Sequence, residues 1–284
     1  MELTAKAPAK VNLILDTPFR HQDGAPEWDM VMTAIDLADY IHLETIPDTM
    51  KITVQTDTSY LPRDYHNLAY QAAKTLQTRF NIHEGVTITI DKHIPVAAGM
   101  GGGSSDAAAV LRGLNSLWRL GLTTRELAQI GLTIDADVPF CVYGTPAHVT
   151  GRGEQITPLK ALPPMWFVIA KPHDNVSTPT ILRQINYETL EHVAVTEAVE
   201  AIQAGNHARL FELTGNVLEP ITAQVCPAIT RIKTKMLQFG ADAATMTGTG
   251  PTVLGICTKY SRAQHVYNAL KGFCHDVHVV RPLQ

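Results

Sequence analysis

Val11, Leu13 and Leu15 alternate with Lys10, Asn12 and Ile14, a period of two that predicts a strand with Lys10 and Asn12 on one face. Residues 30–37, 40–46, 52–56 and 86–90 read as further strands, the last with Thr87 and Thr89 interleaved among apolar residues. The spacing changes at Leu68, Ala72, Leu76 and Phe80, four residues apart, which predicts a helix. After Pro95 comes a loop rich in small residues, then the helix-forming run 106–111, for which Ser104 or Ser105 is the expected N-cap and Asp106 a first-turn acid. That helix is expected to reach about Leu120 and to stop at Gly121, and Thr123 with Glu126 predicts a capping box for the next one.

Gly, Pro and polar residues between Gly153 and Pro164 interrupt the pattern, so the expected domains are 1–158 and 159–284. Beyond the break the order is strand 166–170, several helices, strand 243–246, a turn over 248–251, strand 253–257, helix 261–273 and strand 277–280. An antiparallel sheet with helices on one face would bury that pattern, and the fold class is α+β.

Composition narrows the partners. A chain of 284 residues, 45% hydrophobic, can fill one large core or two smaller ones. A formal net charge of −4 and no Lys/Arg cluster leave no field for nucleic acid or an anionic membrane surface, so small molecules are the expected partners, with the protein a monomer or homodimer. Cys141, Cys226, Cys257 and Cys274 lie far apart without a CxxC pair, which suits buried reduced thiols rather than zinc or a disulfide framework. The first residues lack the apolar core of a signal peptide and no apolar run approaches a bilayer span, so the cytoplasm is the expected setting. The His residues show no HxxxH or HxxEH spacing, and none is assigned to a metal.

The loop 99–105 carries the clearest chemistry. Small residues from Gly101 to Ser105 at a helix entrance leave backbone N–H groups uncovered, and the helix dipole adds partial positive charge, a place suited to phosphate. The bland alternative is a flexible turn with a helix cap. A Walker loop is excluded because no Lys lies within the loop or directly after it. The dinucleotide fingerprint fails too, since its last glycine position falls on Ser104 or Asp106 according to the starting glycine.

The segment PVAAGMGGGSSDAAA from Pro95 resembles the phosphate loop of the GHMP kinases, which act on galactose, homoserine, mevalonate and phosphomevalonate. APAKVNL from Ala7 resembles the family's first motif, and TGTGPTV from Thr247 resembles its third. NLAY from Asn67, ADVPF from Ala136 and VST from Val176 point to the branch that phosphorylates a diphosphocytidyl alcohol in isoprenoid (terpenoid) biosynthesis. The resemblance implies a ribosomal protein S5 domain 2-like first domain and a ferredoxin-like second one, with the active site in the cleft between them. It also implies ATP as phosphoryl donor with Mg²⁺, held by Asn67, Pro95, Gly99, Met100, Gly101, Gly102, Gly103, Ser104 and Ser105, where Ser104 or Ser105 offers the metal a hydroxyl. Asp137 would accept the proton of the acceptor hydroxyl, and Lys10 would neutralise charge at the attacking oxygen. Asn12, Val176, Ser177, Thr178, Thr247, Gly248, Thr249 and Gly250 would face the acceptor or wall the phosphates. Taken singly, Lys10 reads as a solvated lysine, Asp137 as a helix cap, Asn12 as a satisfied polar residue and 247–250 as a hairpin turn.

The cytidyl pocket departs from the pattern. Where that branch carries Asp-Gly-Tyr-His this chain has Asp23, Gly24, Ala25 and Pro26, and where an aromatic ring follows Val-Ser-Thr it has Leu182. A lost stacked ring costs about 1–3 kcal/mol per base. Three readings follow: a kinase for the cytidyl alcohol, a kinase for another alcohol or phosphoalcohol, and an ATP-binding sensor without turnover. His21 or Trp28 would restore a cytidine contact only through a shift of the segment 19–30.

Overall fold

The computed structural model describes residues 1–58, 61–274 and 276–283. The chain forms two compact units, one comprising Met1–Lys10, Leu37–Ile94 and Gly101–Gly144 and the other Val11–Asp36, Pro95–Met100 and Thr145–Gln284. Strands β1 (Glu2–Asp16) and β2 (Trp28–Ile46) contribute to both. β2 is one long strand where the sequence suggested two, because Ala38 and Asp39 are buried and keep the extended pleat between the apolar runs.

In the first unit, β3 (Ile52–Thr56) lies parallel to β4 (Gly85–Asp91), which pairs antiparallel with Tyr40–Ile46 of β2. Helix α1 (Leu68–Arg79) follows β3 in sequence, and α2 (Gly102–Leu117), α3 (Thr124–Leu132) and α4 (Val138–Tyr143) follow β4. The predicted α1 is present and buries Ala69, Ala72, Ala73 and Leu76. α2 buries nearly every side chain from Ser104 to Leu111, which explains its run of alanines: only a thin helix fits between neighbours on all sides. Gly113 shows how close they are, since a Cβ there would stand 2.3 Å from Leu43 Cδ1. The Thr123–Glu126 capping box of α3 is formed as predicted.

The boundaries of α2 differ from the reading of the sequence. The helix starts at Gly102 and ends at Leu117, so Ser104 and Ser105 are inside its first turn rather than capping it, and Gly121 lies beyond its end. Gly101 stands at the N-cap in the left-handed region, φ +63°, which the glycines upstream of the serines made accessible.

In the second unit, β5 (Ala147–Gly151) pairs antiparallel with Trp28–Met32 of β2, and β6 (Gln155–Pro158) extends β5. β7 (Trp166–Lys171), α5 (Thr178–Leu182), α6 (Val195–Ala204) and α7 (His207–Leu213) follow. A two-residue β8 (Gly215–Asn216) runs parallel to the end of β1. Then come α8 (Glu219–Val225), α9 (Ala228–Gln238), β9 (Ala243–Met246), β10 (Val253–Cys257), α10 (Tyr260–Lys271) and β11 (Asp276–Val280). The expected antiparallel sheet is there, in the order β11-β7-β10-β9, and α9 and α10 pack against it.

Candidate active site

The first unit gathers the loop residues from Gly101 to Ser105, Lys10 and Asp137. No side chain caps α2, so its first-turn amides are not taken up by a cap. A Cβ on Gly101 would lie 2.8 Å from Lys10 Cγ and 3.2 Å from its Cε, so the lysine stem runs directly against the loop. Lys10 Nζ is 3.3 Å from Asp137 Oδ2, with the lysine side chain 6% exposed and the aspartate 35%. A lysine so buried is no longer the solvated residue that its type suggests. Asp137 occupies the N-cap position of α4 yet makes no capping bond; its carboxylate goes to Lys10 instead.

Asp135, which the sequence did not single out, ties the pieces together. Its Oδ1 accepts the Ser104 hydroxyl at 2.7 Å and the Asp137 backbone N–H at 3.0 Å. Ser105 donates its hydroxyl to the Pro8 carbonyl, 2.7 Å, which fastens α2 to β1 two residues before Lys10. Asn67 caps α1: its Oδ1 accepts from Ala69 N–H at 2.9 Å and its Nδ2 donates to Pro62 O at 2.8 Å. The next residue, Leu68, reaches the loop, 3.5 Å from a Cβ placed on Gly103. Asp106, expected in the first turn, is instead buried one turn further and paired with Lys92 at 2.8 Å.

The second unit gathers the remaining residues around the turn joining β9 and β10. Thr247 N–H donates to Thr252 O and Gly250 N–H to Thr247 O, both 3.0 Å, so a hairpin turn is present. Asn12 holds that turn: its backbone N–H donates to Thr247 Oγ1 at 3.0 Å, and its Oδ1 accepts from Gly248 N–H at 3.1 Å. Asn216 donates to the carbonyls of Met246 and Gly248, each at 2.8 Å. Thr178, at the start of α5, shares a 2.7 Å hydrogen bond with Thr249, while Val176 is half-buried and Ser177 exposed just before it. Gly99, φ +71°, is pressed against the same turn; a Cβ there would be 2.6 Å from Thr247 O. Met100 beside it is buried, and Pro95 is half-buried.

At the positions where a cytidyl pocket was expected, the segment 19–27 folds on itself. His21 N–H donates to Ala25 O at 2.8 Å, Pro26 bridges Arg20, and His21 Nε2 is held 2.8 Å from Glu27 Oε2. Trp28 opens β2 opposite Gly151. Arg20 donates to Leu182 O at 3.1 Å with its guanidinium 5.4 Å from the Tyr187 ring centre.

The four cysteines are free and buried, as the sequence suggested. Burial pushes the Cys257 thiol up to about 12 and that of Cys141 higher still. Among the described residues no cluster of His, Cys, Asp or Glu fits a metal ion, and no helix is long and apolar enough to cross a membrane.

Two models of known domains match the chain, GHMP kinases N terminal domain over residues 67–145 and GHMP kinases C terminal over residues 198–276. A full-length relative, the 4-diphosphocytidyl-2-C-methyl-D-erythritol kinase of Ligilactobacillus salivarius, is 64% identical over 100% of this chain and 98% of its own. The chain belongs to the GHMP kinases. This GHMP kinase is also 59% identical to the equally named protein of Levilactobacillus brevis, over 100% of both chains. Among solved structures it is similar to a 4-(cytidine 5'-diphospho)-2C-methyl-D-erythritol kinase, with a TM-score of 0.83 and 31% identity over 99% of this chain and 100% of the other. The glycine loop and α4 both fall within the first matched domain, and the turn 247–250 within the second.

Proposed function

We propose that this GHMP kinase transfers the terminal phosphoryl group of ATP to a hydroxyl of 4-diphosphocytidyl-2-C-methyl-D-erythritol, the substrate in the names of its full-length relatives. The observation that carries the reading is Lys10, packed on the glycine of the helix entrance and paired with Asp137. In-line phosphoryl transfer asks the protein mainly for orientation and charge stabilisation. The amides of residues 101–104 bind phosphate oxygens, aided by the dipole of α2. Asp137 takes the proton from the acceptor hydroxyl as the oxygen attacks, and Lys10 balances the charge that builds there. Asn12 acts by holding residues 247–250, which with 176–178 line the acceptor side. Asn67, Pro95, Gly99 and Met100 shape the nucleotide side.

Mg²⁺ fits the donor set. The proton of Ser104 is committed to Asp135, which leaves its hydroxyl lone pairs for a hard cation that takes most of its ligands from phosphate and water, whereas Ser105 is fully buried against Pro8 O. When bound, the ion would supply neutralisation of phosphate charge. The reading places the domain boundary between residues 158 and 159 and the enzyme in the cytoplasm, as monomer or homodimer.

A second reading, a kinase for an alcohol or phosphoalcohol without cytosine, is favoured by Ala25, Pro26 and Leu182, none of which offers an aromatic ring to a base. ATP consumption measured with the cytidyl compound and with a panel of small alcohols and phosphoalcohols decides between them. Turnover with the cytidyl compound supports the first reading, turnover only within the panel the second. Nucleotide binding without turnover on any acceptor would leave the non-catalytic sensor.

A further inference from the structure

Against the glycine loop, within the first unit, lies a buried ionic trio: Asp39 of β2, Lys92 after β4 and Asp106 of α2, with side chains 0%, 5% and 5% exposed. Lys92 Nζ bonds Asp39 Oδ2 and lies 2.8 Å from Asp106 Oδ2. Asp39 Oδ1 accepts the backbone N–H groups of His93 and, at 2.8 Å, Ile94, so it also fixes the chain leading towards the loop. A Cβ on Gly102 would stand 3.4 Å from Lys92 Nζ, which places the ammonium beside the first residue of α2. Asp106 Oδ1 is buried without a hydrogen-bond partner.

Such a cluster is a poor way to stabilise a core, because apolar side chains of the same volume usually do as well without the desolvation penalty. Its place suggests another use. Asp39, and Asp106 to the extent that it ionises, weaken the attraction of the helix entrance for phosphate, and a cation beside Gly102 reverses that effect. Burial opposes the charge on Lys92, but Asp106 and Asp39 outweigh it and raise its pKa.

We infer that Lys92 is a positioning residue for the nucleotide: clamped by Asp39 and Asp106, its ammonium fixes Gly102 in the phosphate-binding form and keeps the helix entrance positive. This rests on the kinase reading, because it presumes phosphate at that entrance.

The test is MgADP binding by calorimetry, with melting temperatures, on the full chain as wild type, Lys92→Met and Lys92→Met/Asp106→Asn. The single variant leaves two buried carboxyl groups facing each other with no cation to hold them and should melt lower. The double variant replaces one of the two acids by an amide that can hydrogen-bond the other and should recover much of the melting temperature, while its MgADP Kd stays raised about tenfold or more, the loss of one charge-assisted interaction. That split between stability and affinity is not expected of a merely structural lysine. Recovery of affinity together with melting temperature would overturn the inference, as would a double variant that fails to fold, which would make the trio a folding element. The double variant decides even if the single one is not recovered folded. Wild-type protein that does not bind MgADP would overturn the kinase reading and the inference with it, an outcome told apart by the unmutated sample.

Discussion

Replacing Gly101 by alanine tests the contact on which the Lys10–Asp137 pair depends. Gly101 has φ +63°, where an alanine costs about 1 kcal/mol. Its new methyl would meet Lys10 Cγ at 2.8 Å, whereas carbon atoms at rest stand about 3.5–4.0 Å apart. Lys10 is 4% exposed and has little room to retreat, so its stem must move by roughly 1 Å and carry Nζ away from its 3.3 Å contact with Asp137. A misplacement of about 1 Å in a catalytic array can lower the rate on the order of 100-fold. The backbone penalty alone lowers the melting temperature by only about 2–4 °C in a chain of this size. Gly205→Ala is the control: Gly205 has a similar φ of +69° but no atom within 4 Å of the added methyl. Steady-state ATP turnover and thermal melts on both variants should show similar small stability losses and a large fall in kcat for Gly101→Ala alone. If Gly101→Ala kept kcat within about threefold of wild type while melting normally, the reasoning that Lys10 acts from this position would be refuted.

Asp137→Asn should lower kcat by about 100-fold or more with MgADP affinity unchanged, since a general base acts on the acceptor hydroxyl and not on nucleotide binding; burst and steady-state kinetics check this. Ala25→Tyr with Leu182→Phe should lower the KM for the cytidyl alcohol by about a hundredfold, roughly tenfold for each of the two regained stacked rings, read from initial rates. Burial, working against Lys92 and helped by Asp39, raises the Asp106 carboxyl to about 8. The folded protein therefore holds a proton that the unfolded chain releases above the ordinary carboxyl range, so this group lowers stability as pH rises from about 4 to 8 and contributes no further change above that. Asp106→Asn should remove the slope, seen as a melting-temperature difference from wild type that grows through that window and then levels off.

Much of the molecule was legible in the sequence because its signals are local. The alternation through Lys10 and Asn12, the four-residue spacing of α1 and the Thr123–Glu126 box each follow from a backbone period or a single cap. Dense glycines suggested an anion site without knowledge of any neighbour, and the structure has an uncapped helix start there. The start of α2 was misplaced because serines are good caps in general, while here tertiary partners, Asp135 and the Pro8 carbonyl, draw both hydroxyls inside the first turn. The long β2 was split because Ala38 and Asp39 read as a break, and only burial against Lys92 makes a polar residue acceptable mid-strand. Asp39, Lys92, Asp106 and Asp135 come from separate stretches of chain, so no spacing rule could assemble them. Their one sequence signal is charge next to apolar runs. Asn12 was expected from its type to contact the acceptor, and its carboxamide oxygen also accepts the Gly248 N–H, which sequence could not foresee.

Phosphate docking at the amides that open α2 can be observed directly. In ¹⁵N-resolved spectra of the isotope-labelled protein, MgADP should shift the backbone amide signals of Gly102, Gly103 and Ser104 most strongly, and adenosine, which carries no phosphate, should leave them nearly in place. Saturating MgADP binding that left those three signals unmoved would contradict the account.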